Sequence, residues 1–111
     1  MTKAMIMAAK DNVATVLESA AEKSTIALIK KEGGETTETT VCEAIPSGNK
    51  LALTDISKGE DIIKYGVVIG YASCDIPKGA LVHVHNVRSH RINIPDGIIT
   101  EILKQMNLEG R

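Results

Sequence analysis

A short pattern, Ile-x-x-Gly, recurs three times in this chain, in "AIPSG" (44–48), "DISKG" (55–59) and "DIPKG" (75–79). The last two share Asp-Ile-x-Lys-Gly. Each copy reads as an apolar anchor, a tight turn whose glycine can take a positive φ, and the start of a new strand. Turns repeated this closely fold short strands back on one another and leave no room for the crossover helices of a βαβ series. The expected fold class is therefore mainly β.

The remaining stretches divide into strands and two helical segments. "STIALIKK" and "TTVCEAI" stand around the polar turn "EGGETTE", a hairpin signal. "KLALTDI", "EDIIKYG", "VVIGYASCDI" and "ALVHVHNV" follow as further strands, broken at Gly59, Gly66, Gly70 and Gly79. In "DNVATVLESAAE" (11–22), Val13, Val16, Leu17 and Ala20 fall at helical spacing, and Asp11 is placed to cap a helix. In "IPDGIITEILKQMNLEGR", Ile98, Ile99, Ile102, Leu103 and Met106 form an apolar helical stripe, with Asp96 before it and Gly110 after it. That stripe must be buried either on its own domain or on another chain, in the second case as an oligomer element. The expected organisation is a β domain over 1–92 and a helical extension over 93–111.

Composition narrows the function. With 111 residues the chain fits one domain with a modest core. Lys and Arg number 13 against 14 Asp and Glu, a formal net charge of −1, and the only aromatic residues besides histidine are two tyrosines. Neither a basic field for a phosphate backbone nor a stacking platform for bases is available, so nucleic acid is not an expected partner. No run approaches the roughly 20 apolar residues of a membrane helix, and Lys10, Asp11 and Asn12 interrupt the N-terminal apolar stretch. Cys42 and Cys74 fit neither a metal-spaced pair nor a disulfide framework, and are expected to be reduced thiols of a cytoplasmic protein. So few aromatic residues also limit the core, which leaves a partner to supply some buried surface.

Two stretches can carry chemistry. "LVHVHNVRSH" (81–90) contains all three histidines. On a strand, His83 and His85 would project from one face and Val82 and Val84 from the other. The pair is then either a polar strand face or two of the ligands for a divalent metal. A third ligand would have to come from His90, from an acid such as Asp75 or Glu60, or from another subunit. Asn86 adds a donor and an acceptor at the strand end, where a hydroxylated substrate could be held. Lys50 follows a turn glycine at the rim of the sheet, and Lys64 sits between Ile63 and Tyr65. Each lysine is either solvent-exposed or aimed at an anion.

Taken together, "KDNVATVL", "IPSGNKLALTDISKGEDIIKYGVVIGYASCDIPKG" and "LVHVHNVRS" resemble the N-terminal SAF domain of the altronate/galactarate dehydratase family. That family includes a sulfolactate sulfo-lyase whose small subunit is a free-standing chain of this kind. The resemblance runs from Lys10 to Arg88, and the block from Ile56 to Asn86 is its specific part. It implies a compact β-clip fold, as in type III antifreeze proteins and the C-terminal domain of sialic acid synthases. It implies a small subunit of a two-component lyase that removes water or sulfite from a hydroxylated sugar acid such as altronate, galactarate or sulfolactate. His83 and His85 would then be catalytic or metal-binding, and Asn49, Lys50, Lys64 and Asn86 would bind substrate. A large partner subunit would supply most of the machinery and hold a divalent metal, iron in members that depend on one. The chain departs from the family pattern at Gly48-Asn49-Lys50, where the family has Gly-His-Lys. An amide cannot move a proton near neutral pH, although it can still donate a hydrogen bond. The alternative is a non-catalytic module that binds a sugar acid or caps a partner enzyme.

Overall fold

The computed structural model describes residues 1–89, which form nine short strands and no helix. In chain order these are β1 (Lys3–Ile6), β2 (Val13–Val16), β3 (Thr25–Lys30), β4 (Thr36–Thr40), β5 (Lys50–Ala52), β6 (Asp61–Lys64), β7 (Val67–Ala72), β8 (Leu81–Val82) and β9 (Val87–Arg88). Six make one sheet in the order β4-β3-β1-β2-β5-β8, and three make a second in the order β6-β7-β9. Only β1 and β3 pair in parallel; the other pairings are antiparallel.

Neighbouring residues of the central strands face different cores. Ala14 and Val16 of β2, Leu51 of β5 and Leu81 of β8 pack in one cluster with Ala4, Ile26, Val41 and Ile45. Val13, Ala52 and Val82 pack in a second with Ile56, Ile62, Ala72 and Ile76. Side chains alternate across a strand, so β2, β5 and β8 are covered on both faces. That is why these strands read as near-continuous apolar runs.

The three isoleucine–glycine turns form as expected. Gly48, Gly59 and Gly79 take φ of +81°, +89° and +86°, and Ile45, Ile56 and Ile76 are fully buried. The turns work in pairs. Ile56 and Ile76 exchange backbone hydrogen bonds at 2.8 and 2.7 Å, Gly59 donates to Ala72 and Gly79 to Ala52. Asp55 accepts from the Lys78 amide and Asp75 from the Lys58 amide, a reciprocal clasp at 2.9 and 2.8 Å.

Ile45 of the first turn has an equivalent partner in Ala20. Ala20 and Ile45 exchange bonds, Gly48 donates to Val16 and Lys23 donates to Val41. Residues 16–25 are therefore a fourth copy of the turn, with Ala20 as anchor and Lys23, at φ +63°, in the glycine's place. The domain thus consists of two units with the same hydrogen-bond pattern, each beside its own core.

This fourth turn replaces the helix expected over 11–22. Val13, Ala14 and Val16 are buried on both faces of β2, whereas Leu17 is 48% exposed. Asp11 caps no helix. Its carboxylate accepts the amides of Ala8, Tyr65 and Gly66 at 3.1, 3.1 and 2.8 Å. Asn12 pairs with the free edge of β6, donating to Asp61 O and accepting from the Ile63 amide, both at 2.8 Å. The "DNVA" stretch is thus a pin between the two units.

Two smaller expectations also change. Gly70 does not break a strand; it lies inside β7, where a Cβ would stand 2.5 Å from the Arg88 carbonyl oxygen of β9. "ALVHVHNV" is two strands, β8 and β9, separated by a turn over 83–86. The helix expected over 93–111, the boundary at 92 and His90 lie outside the described residues.

Candidate functional site

β8 ends at Val82, so strand alternation does not govern His83 and His85. The chain turns there. The Asn86 amide donates to His83 O at 3.1 Å, and Asn86 Oδ1 accepts the His83 amide at 2.9 Å. Asn86 Nδ2 donates to Leu81 O at 2.7 Å, and Ser73 donates to Asn86 O at 2.9 Å. Asn86 is 5% exposed. Both polar atoms of its side chain are engaged in shaping the turn that presents His83.

Lys50 enters the same place from β5, where it pairs directly with Val82. Together with Ile69, Val82, Val84, Val87 and Ser89, Lys50 and His83 line an open cleft of about 280 Å³. Its apolar wall comes from Val82 and Val87 of the second core, Val84 beside the first, and Ile69 of β7.

The electrostatics of the cleft are one-sided. Burial holds the Lys50 ammonium below its usual pKa, and the nearby Lys64 lowers it further. Burial likewise lowers the His83 imidazole, and Lys50 adds to the effect. Three basic groups thus lie within electrostatic reach in sequence, Lys64 acting on Lys50 and Lys50 on His83. Among the described residues neither lysine makes an ion pair. His83 Nε2 is buried without a hydrogen-bond partner among them. A half-buried cationic group without a counter-ion is suited to a carboxylate or sulfonate, since charge-assisted hydrogen bonds are strongest where water is scarce. A neutral imidazole with an uncommitted nitrogen can also accept a proton near pH 7.

Lys50 and His83, read separately from the sequence, come together here, and Lys64 acts on Lys50 by charge without lining the cleft. Asn49 and His85 do not line the cleft. The Asn49 amide nitrogen turns back on its own loop, donating to Pro46 O and Ser47 O at 3.1 and 3.3 Å. His85 is half-buried inside the 83–86 turn. No three His, Cys, Asp or Glu side chains gather as metal ligands among the described residues. Lys50 and Lys64 would also repel a divalent cation beside His83, so the described residues of the cleft suit an anion. Sequence reasoning missed the apolar wall of Ile69 and Val87, which belongs to strands distant in the chain. It also misread the Asp11–Asn12 pin, whose polar pair ahead of an apolar run has the same appearance as a helix cap.

Cys42 and Cys74 are free, exposed thiols. No helix among the described residues is long and apolar enough to cross a membrane.

Comparison with known proteins gives one family and several relatives. The sequence profile described as the altronate/galactarate dehydratase SAF domain matches residues 2–90. Altronate dehydratase of Escherichia coli is 42% identical over 82 residues, 74% of this chain and 15% of that protein. The alpha subunit of (2R)-sulfolactate sulfo-lyase from Chromohalobacter salexigens is 49% identical over 51 residues, 46% of this chain and 54% of that subunit. Galactarate dehydratase (L-threo-forming) of Escherichia coli is 52% identical over 40 residues, 36% of this chain and 8% of that protein. The matched region is thus a small part of the two dehydratases and about half of the sulfo-lyase subunit.

Proposed function

The chain belongs to the altronate/galactarate dehydratase SAF-domain family, and on that premise we propose that it is the small subunit of a two-component dehydratase or lyase. Its substrate is a polyhydroxy or sulfonated carboxylic acid of the kind named in its relatives, such as altronate, galactarate or sulfolactate. The uncompensated charge of Lys50 and Lys64 beside the buried, unpartnered His83 Nε2 carries this reading.

The reaction in this reading is a β-elimination. The C–H bond α to the carboxylate breaks, its electron pair forms the C=C bond, and the β-substituent leaves as water or sulfite. The resulting enol then tautomerises to the 2-keto acid. Negative charge grows on the carboxylate as the α proton departs, and fixed cations stabilise that enediolate character. Lys50 binds the anionic group, and Lys64 adds its charge to the field that holds it. His83, neutral at pH 7 because its pKa is lowered, exchanges a proton through Nε2. Asn86 is a positioning residue that fixes the His83 backbone. Asn49 and His85 contact substrate only if the partner closes over their side of the turn. A divalent metal, where the reaction uses one, belongs to the large partner subunit in this scheme. The expected cytoplasmic location is part of the same reading.

Turnover tests it. The purified chain alone should be inactive on altronate, galactarate and sulfolactate, and activity should appear only with its large partner. Turnover by the isolated chain would falsify the two-component scheme. A second reading, a non-catalytic module that binds the acid or caps the partner, is favoured by Asn49 standing where the family has histidine. His83→Ala and His85→Ala separate the two once assembly is checked. Turnover lost from an intact complex supports chemistry here, whereas unchanged turnover supports the module.

A further inference from the structure

The β6–β7 hairpin carries three consecutive apolar residues in solvent. Val67, Val68 and Ile69 are 60%, 46% and 39% exposed. Adjacent strand residues point to opposite faces, so exposure of all three means that both faces of the hairpin end stand clear of the domain. Elsewhere the strands keep their large apolar residues inside, as at Ile62 one strand away. A run of exposed apolar residues on a strand is unfavourable in water unless something covers it.

The hairpin is also held stiffly. Its turn uses Tyr65 and Gly66, both at positive φ (56° and 71°), and Asp11 binds both of their amides. The exposed Tyr65 ring carries ammonium groups on its flanks, Lys64 at 5.4 Å and Lys31 at 6.0 Å from its centroid. The element is therefore a preorganised apolar ridge with a cationic tip, which limits the ordering cost of association.

We propose that this ridge, Tyr65 to Ile69, is the docking element for the dehydratase or lyase chain, seated in an apolar groove of that chain rimmed by carboxylates. The inference rests on the two-component reading above. Three observations select this occupant. Ile69 belongs both to the exposed run and to the cleft, so whatever covers the ridge also roofs Lys50 and His83. The match covers only 15% and 8% of the two dehydratases, so most of each lies outside the SAF domain and is available to cover it. A second copy seated tip to tip is disfavoured, because that contact would set one Lys31–Lys64 pair against another.

The test uses the full chain in its own cells, with a tag at Met1 and a photo-crosslinking residue at Val68 or, as control, at the exposed Glu38 of β4. The Val68 probe should crosslink a chain homologous to the remainder of altronate dehydratase, and the Glu38 probe should not. Val67→Glu with Val68→Glu should lower co-purification of that chain at least tenfold while thermal unfolding stays within a few degrees. Crosslinking of Val68 to a second copy or to an unrelated protein overturns the proposal, as does undiminished co-purification of the double variant. If the dehydratase-like chain co-purifies but the ridge changes have no effect, the ridge alone is wrong. If no such chain co-purifies with the unaltered protein, the two-component reading falls and takes the ridge with it.

Discussion

At His83 the chemistry of the cleft is set by what surrounds one imidazole. Its pKa is lowered below 6.5 first by burial and then by Lys50. A basic group depressed in this way costs stability on acidification. Above 6.5 neither state is charged; below it the unfolded chain takes up the proton first, and the loss is complete once the pH passes the folded value. Histidine Cε1 proton shifts should therefore place the His83 midpoint below 6.5. Lys50→Met should raise that midpoint only part of the way, because burial is the larger cause; full recovery would mean that charge dominates. A bound carboxylate should move it upward too, and bind more tightly as the pH falls and His83 gains its proton. Asn86 governs the same site through the backbone. Truncation to alanine strands the His83 amide and the Leu81 carbonyl in a buried turn, which should cost about 2–4 kcal/mol in urea unfolding. A loss under about 0.5 kcal/mol would remove its positioning role.

Among the elements, the four turns allow a direct comparison of conformational cost. Gly59 and Gly79 both require positive φ, but a Cβ at Gly59 meets nothing within 4 Å, whereas at Gly79 it would lie 2.5 Å from Thr40 O. Gly59→Ala should lose about 1 kcal/mol, the left-handed penalty alone. Gly79→Ala should lose about 3 kcal/mol or more, because backbone must also move. Lys23 occupies the same conformation without being glycine, so Lys23→Gly should gain about 0.5–1 kcal/mol; equal losses at all three positions would contradict the shared geometry. This series also explains what the sequence revealed. Three turns were legible because their glycines and isoleucines announce positive φ and a buried anchor. The fourth was not, because Ala20 and Lys23 meet the same backbone demand with residues that favour helices. β1 passed unnoticed for a related reason: "KAMI" is four residues long and has no turn glycine at either end. Of the site, Lys50, Lys64 and His83 were legible as types, but their convergence depends on β5, β6 and β8 meeting. Residue spacing does not disclose that meeting.

For the molecule as a whole, the consequence of two repeated units is a seam. Val13, Ala52 and Val82 reach the second core from strands whose neighbouring residues fill the first, so the cores share a wall. The hairpin of β6 and β7 extends from the second unit, and Asp11 and Asn12 tie it to β2 by hydrogen bonds to residues 61–66. Asp11→Ala removes an acceptor shared by three amides and should cost about 3 kcal/mol, since hydrogen bonds to a charged group are worth more than neutral ones. The loss should be local. Amide exchange should speed at Tyr65, Gly66 and along β6–β7, while Ile26 and Leu28 of β3, in the first core, keep their protection. Uniform acceleration across both cores would instead show that the units unfold as one body. The cleft is the sensitive reporter between these outcomes. Lys50 and His83 sit on β5 and beside β8, while Lys64 and Ile69 sit on the hairpin. A loosened hairpin should therefore carry Lys64 away from Lys50 and Ile69 away from the cleft, returning part of the lost pKa to Lys50 by charge and to both Lys50 and His83 by hydration, even though neither residue has been altered.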